Sequence, residues 1–231
     1  MIFYTPDIED AKYILNEEES GHAVRVLRLK AGSEIELVDG RGGWYRAVVV
    51  AVHHKRCEVE VAETIREYGK RPYRLHVAIA PTKNIDRFEW FVEKSVEIGI
   101  DEITPLLCEH SERNRIQPDR IRRIMVAAMK QSKKAYLPKL NELTAFGDWI
   151  KPADGSGFIA YCGEGNKQSL KASYQAGCDA VIAIGPEGDF SRREVDKAAA
   201  CGFVGTDLGP SRLRTETAGV AVCHAIYFMN T

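Results

Sequence analysis

Along the first seventy residues, apolar positions alternate with polar ones at a period of two. SEIELVD (33–39) places Ile35 and Leu37 on one face. WYRAVVVAV (44–52) follows the turn signal GRGG, and CEVEVAETI (57–65) alternates Val59 and Val61 with glutamates. Successive side chains of a strand point to opposite faces, so this pattern predicts half-buried strands. Short strands punctuated by glycine turns predict a small barrel. HAVRVLRLKAG (22–32) reads as a short helix or turn. EYGKRPYR (67–74) is a polar hinge with a glycine and a proline. It sets the predicted domain boundary, giving domains 1–70 and 71–231.

Beyond residue 74 the period changes. LHVAIAP (75–81) is a near-continuous apolar run, as a strand buried on both faces requires. FEWFVEKSVEIG (88–99) puts Phe88, Phe91, Val92 and Val96 at helical spacing and stops at Gly99. ITPLLC (103–108), GFIAYCG (157–163), AVIAIG (180–185) and VGTDLG (204–209) read as strands. PDRIRRIMVAAMKQSKK (118–134) reads as an amphipathic helix with Ile121, Ile124, Met125, Ala128 and Met129 on its stripe. SRREVDKAAACG (191–202) opens with a capping box, Ser191 and Glu194. TETAGVAVCHAIYFM (215–229) is a closing helix with a small-residue face at Ala218, Gly219 and Ala221. Strands alternating with helices predict an α/β fold with a mostly parallel sheet covered by helices.

Composition adds limits. The 231 residues are 45% hydrophobic and carry a formal charge of −1. No apolar run reaches the roughly 18 residues that predict a membrane span. MIFYTPDIED lacks the basic-then-apolar pattern of a secretory signal. Cysteines 57, 108, 162, 178, 201 and 223 form no C-x-x-C and no metal-ligand spacing with histidine. Reduced structural thiols and a cytoplasmic location are the expectation. The charge is uneven. From Arg113 to Lys139 nine bases face a single acid, Asp119, and a second basic stretch lies at 22–30. These stretches fit a polyanion-binding face or a solvated helix face, and charge alone does not choose.

Ligands of such sheets bind beyond the carboxyl ends of the strands. Two loops there carry unusual chemistry, IGPEGDFS (184–191) and LGPSRLRTETAG (208–219). Neither matches a dinucleotide or P-loop fingerprint. Pro186 lacks the backbone donor of a phosphate cradle, and the acids Glu187 and Asp189 would repel phosphate. A neutral or cationic ligand suits the first loop, with Gly185 and Gly188 allowing a flat group near the main chain. Glu194 belongs to the helix cap. Glu187 is open between shaping the turn and touching ligand. In the second loop Thr215 is a candidate helix cap through its hydroxyl.

At these two loops the sequence resembles the ribosomal RNA small subunit methyltransferase E family of the SPOUT class. IGPEGDFSRREV (184–195) is similar to the family's IGPEGG-F-S-x-x-E, and LGPSRLRTETAG (208–219) to its LG-x-R-I-L-R-x-E-T-A. The similarity continues in HAVRVLRLKAGSEIELVDGRG (22–42), DRFEWFVEKSVEIGIDEITPLLCEHS (86–111) and AMKQSKKAYLPKL (128–140), in order along nearly the whole chain. This chain departs from the pattern at Asp189, where the second glycine of PEGG stands. It departs also at Ser211, which replaces the loop's first arginine (Arg212 follows one place later), and at Lys130, which replaces a glutamate.

The resemblance implies S-adenosylmethionine as cofactor and methyl transfer to N3 of a uridine in 16S ribosomal RNA. It implies a C-terminal trefoil-knotted, mostly parallel sheet flanked by helices, a small N-terminal PUA-like β-barrel that helps hold RNA, and a homodimer. Cofactor contacts then fall to Ile184, Gly185, Pro186, Glu187, Gly188, Leu208, Gly209, Leu213, Thr215, Thr217 and Ala218. Methylating N3 requires loss of a proton and stabilisation of a developing anion. Arg214 is the candidate stabiliser of the pyrimidine oxygen. Glu216 is the candidate proton acceptor or orienter of that arginine, or else an acid favourable to a helix N-terminus. RNA contacts fall to His22, Arg25, Arg28, Lys133 and Lys134, and the partner is 16S ribosomal RNA or the small subunit. The rival is a non-catalytic RNA-binding or ribosome-assembly factor of the same fold. A dinucleotide oxidoreductase lacks its glycine fingerprint.

Overall fold

The computed structural model describes residues 1–153 and 156–231. The chain divides into two compact units: Met1–Lys70 with Val126–Leu137, and Arg71–Met125 with Pro138–Thr231.

The first unit contains β1 (Ile2–Tyr4), β2 (Lys12–Ile14), α1 (Glu17–Gly21), a π-helical turn (His22–Val26), β3 (Glu34–Val38), β4 (Trp44–Ala51) and β5 (Glu58–Ile65). Its sheet runs β1-β3-β4-β5-β2, a half-barrel. Only the β1–β3 pairing is parallel. The period-two residues point inward: Ile35, Leu37, Ala47, Val49 and Val59 are buried with Phe3, Leu15 and Ala23. β1 and β2 are too short to show alternation in the sequence. Asn16 caps α1 by accepting the Glu19 amide.

The second unit contains β6 (Leu75–Ile79), α2 (Ile85–Ile98), β7 (Glu102–Leu107) and α3 (Pro118–Gln131), whose end beyond Met125 groups with the first unit. Next come β8 (Lys139–Leu140), β9 (Thr144–Ala145), α4 (Phe146–Trp149), β10 (Gly157–Ala160), β11 (Gln168–Ser169) and α5 (Leu170–Ser173). The chain closes with β12 (Ala180–Ile184), α6 (Arg192–Ala200), β13 (Val204–Asp207) and α7 (Thr215–Met229). The sheet order is β11-β13-β10-β12-β6-β7-β8, with β9 on β7, and every pairing is parallel. The fold is α/β, with a parallel sheet flanked by helices and an N-terminal half-barrel domain.

Central strands β6, β12 and β10 are buried on both faces, which is why they read as apolar runs. α2 ends at Gly99, whose φ of 118° is the left-handed value a helix terminator adopts. α7 packs on α2 because Gly219 lacks a side chain. A Cβ there would sit 2.5 Å from the Phe91 ring and 2.9 Å from Ile79. The small-residue face thus brings α7 down onto α2 and β6.

Candidate functional site

β10, β12 and β13 end side by side at Ala160, Ile184 and Asp207. Their loops line a cleft of about 750 Å³. Ile184, Gly185, Pro186, Glu187, Leu208, Gly209, Leu213, Thr215 and Ala218 all line it. So do Arg212 and Arg214. Three residues expected there, Gly188, Glu216 and Thr217, do not. Gly188 lies behind the loop, where a Cβ would meet His110 at 2.9 Å, and Thr217 is exposed outside the lining.

The glycines play different parts from those expected. A Cβ on Gly185 would meet Phe190 at 3.1 Å, so Gly185 and Gly188 make room for protein packing rather than for a ligand. Gly209 is the open one. Its φ is 111°, and nothing lies within 4 Å of where its Cβ would be. A ligand can approach the main chain there.

Thr215 also departs from expectation. The N-cap of α7 is Arg214, with no side-chain cap bond. The buried Thr215 hydroxyl instead donates to the Gly185 carbonyl at 3.1 Å, joining the two loops. Ser191 and Glu194 do form the capping box on α6, and the Glu194 carboxylate also accepts from the Glu109 amide at 3.0 Å. The Glu187 carboxylate accepts from the Lys83 amide at 2.9 Å, which ties its loop to the turn after β6. Arg113 holds the same turn through the carbonyls of Thr82 (2.9 Å) and Lys83 (2.6 Å). This base of the Arg113–Lys139 stretch is therefore architectural.

Asp207 accepts from the Gly209 amide at 3.1 Å and fixes the start of the last loop. Beyond β10, Lys167 donates to the carbonyls of Tyr161 (3.2 Å), Cys162 (3.2 Å) and Gly163 (2.8 Å), and all but Gly163 line the cleft. Lys167 and Tyr161 were not foreseen, since one lysine and one tyrosine in a loop carry no sequence pattern.

Arg214 is exposed and lines the cleft, and its side chain has no hydrogen bond or ion pair among the described residues. Glu216 is buried at 7% exposure. Its Oε1 lies 3.8 Å from Nε of Arg87, and its Oε2 has no partner. The expected orientation of Arg214 by Glu216 is replaced by pairing with Arg87, itself a cleft residue. Arg87 sits in the first turn of α2, far from residue 216 in sequence, so no local motif announces it.

His22, Arg25, Arg28, Lys133 and Lys134 all belong to the first unit. His22, Arg25, Arg28 and Lys133 are exposed and Lys134 is half-buried. His22 and Arg25 line a surface hollow of about 800 Å³ with Glu17, Glu18, Glu19, Gly21, Val26 and Lys130. Two of these acids are neutralised within the unit, Glu17 by Lys55 at 3.1 Å and Glu19 by Lys130 at 2.5 Å. Lys130 is thus an internal ion-pair partner. Arg120, paired with Glu89 at 2.6 Å, is another base of its stretch held internally.

All six cysteines are free, and Cys57, Cys108 and Cys223 are buried. Burial pushes the Cys223 thiol up to about 12, and it raises Cys108 as well, which keeps both protonated. No group of metal-ligating side chains occurs among the described residues, and no helix of the described residues is long and apolar enough to cross a membrane.

A family model for the RNA methyltransferase domain matches residues 69–227, and one for the RNA methyltransferase PUA domain matches 15–62. A Synechocystis protein named ribosomal RNA small subunit methyltransferase E is 30% identical over 221 residues, covering 91% of this chain and 71% of its own. A Porphyromonas gingivalis structure described as a "probable rRNA-methyltransferase" superposes with a TM-score of 0.93 at 42% identity, covering 99% of this chain and 98% of its own. A Legionella pneumophila structure, described as a "putative methyltransferase" in complex with the bound cofactor SAM, has a TM-score of 0.87 at 25% identity and covers 99% and 97% of the two chains.

Proposed function

Because the chain belongs to the ribosomal RNA small subunit methyltransferase E family, we propose that it is an S-adenosylmethionine-dependent methyltransferase acting on N3 of a uridine in 16S ribosomal RNA. The observation that carries this reading is the cleft built by the loops after β12 and β13, which the Thr215–Gly185 bond joins. Its residues fit the cofactor. Gly209 leaves its main chain open, and the lining carries both acids (Glu187, Asp189, Asp207) and bases (Arg87, Lys167, Arg212, Arg214), which suits a ligand that bears a sulfonium and a carboxylate. Ile184, Gly185, Pro186 and Glu187 would hold it on one side, and Leu208, Gly209, Leu213, Thr215 and Ala218 on the other. When bound, the cofactor supplies an electrophilic methyl group.

The chain's own side chains supply the rest. Arg214 has its guanidinium uncommitted and offers donors to the pyrimidine oxygen on which charge builds when N3 loses its proton. Glu216 is the proton acceptor. A buried carboxylate with one oxygen facing Arg87 and the other without a partner has a lone pair to offer. His22, Arg25, Arg28, Lys133 and Lys134 contact RNA phosphates, which makes binding salt-sensitive.

Three further features belong to the same proposal. The route of the chain supports a trefoil knot: β13 lies beyond β10, yet α7 returns to pack on α2, β6 and β12. The exposed Trp90 (42%) and Phe228 (71%) on the packed pair α2 and α7 support a homodimer that covers them. The reduced cysteines and ribosomal substrate support a cytoplasmic location.

Calorimetric titration with S-adenosylmethionine tests the reading. Micromolar binding is expected, and a chain that evolves no heat is the non-catalytic RNA-binding factor instead.

A further inference from the structure

Asp189 stands where the family's pattern has glycine, and its backbone explains the glycine. Its φ is 64°, in the left-handed region that glycine enters freely and other residues rarely adopt. Aspartate tolerates this region when its short carboxylate finds a local partner. Here Oδ1 accepts from the Phe190 amide at 2.9 Å. Oδ2 reaches across the cleft wall to the amides of Cys162 (2.8 Å) and Gly163 (3.1 Å) in the loop after β10. Lys167 binds the carbonyls of the same loop from the other side. The amides of Cys162 and Gly163 are thus held by a carboxylate, and the carbonyls of residues 161–163 by an ammonium. A glycine at 189 would keep the backbone path and lose half of this clamp.

We infer that Asp189 is a positioning residue. It fixes the loop after β10 in its cleft-lining conformation and so prepares the cofactor site before ligand arrives. This rests on the cofactor reading of the cleft. Two successive backbone amides form a small anion-binding concavity. Asp189 fills that concavity with the protein's own charge. A pre-ordered site binds more tightly because less ordering remains to be done on binding.

The test compares Asp189→Gly with Asp189→Asn. Asparagine also tolerates the left-handed region, and its side-chain oxygen can accept from the Cys162 and Gly163 amides. Without cofactor, hydrogen exchange at the Cys162 and Gly163 amides should quicken about tenfold or more in Asp189→Gly and stay near the parent rate in Asp189→Asn. With cofactor, Asp189→Gly should raise the Kd and the KM for S-adenosylmethionine about tenfold while kcat at saturation changes less than twofold. Asp189→Asn should restore most of the affinity. Unchanged exchange in Asp189→Gly overturns the clamp whether or not the cleft takes this cofactor. Faster exchange with parental affinity overturns the positioning role alone. Failure of the parent itself to bind overturns the cofactor reading, a result separable from both.

Discussion

Replacing Thr215 by valine isolates the bond that joins the two cleft loops. Valine keeps the shape of threonine and removes only the hydroxyl. The donor is buried, its acceptor is the buried Gly185 carbonyl 3.1 Å away, and no other donor to that carbonyl occurs among the described residues. Removing one partner of a buried pair leaves the other unsatisfied, which costs about 1–3 kcal/mol. In a protein of this size each kcal/mol lowers the unfolding midpoint by about 2–4 °C. A fall of about 5 °C is therefore expected in thermal unfolding, from about 1.5 kcal/mol at about 3 °C each. The functional effect is separate. With Gly185 released, the 184–191 loop is free to drift from the 208–219 loop, and calorimetry should show cofactor Kd rising about tenfold, equivalent to about 1.4 kcal/mol. Thr215→Ser keeps the hydroxyl and should hold the parental affinity even if the lost methyl lowers stability somewhat. A Thr215→Val protein as stable and as tightly binding as the parent would refute the bridging role. Equal loss of affinity in Thr215→Ser and Thr215→Val would refute it too.

Arg214→Ala should lower methyl transfer at saturating RNA and cofactor by about 10²–10³-fold, as removal of one oxyanion donor does elsewhere, with unfolding unchanged because the side chain has no partner among the described residues; single-turnover assays measure it. Arg25→Glu with Arg28→Glu should weaken RNA binding and flatten its salt dependence by about one unit of slope per lost phosphate contact, read from filter binding at several ionic strengths. Burial lowers the pKa of His76 below the usual histidine value. The unfolded chain therefore takes up this proton first, and stability should fall as pH drops below about 6.5, the range in which the unfolded histidine charges. Thermal melts between neutral and mildly acid pH should show a shallower decline in His76→Gln.

The fold was legible where burial imposes a period. β3, β4 and β5 fell within the stretches read from alternation, and α2 ends at the predicted glycine because a left-handed terminator has few alternatives. β8, β9 and β11 are two residues each and hold too few positions to show any period. The same limit governs the site. The loops after β12 and β13 announce themselves by glycine, proline and charge in one short stretch. Arg87, Lys167 and Tyr161 reach the cleft from distant elements, and parallel strand order rather than sequence distance brings them there. Thr215 was misread as a cap because residues able to cap a helix can also donate elsewhere, and only the position of Gly185 decides between them. Basic residues were the least legible group. Lys130 and Arg113 face inward partners that no charge count reveals.

The reading turns on where the methyl group goes. Small ribosomal subunits lacking the modification should be incubated with the protein and isotopically labelled S-adenosylmethionine, and the labelled nucleotide identified by digestion and mass spectrometry. One labelled uridine of 16S ribosomal RNA carrying the methyl on N3, with the label lost in Arg214→Ala, is the expected result. Label on another base or another ring atom, or unlabelled RNA despite measurable cofactor binding, would contradict it.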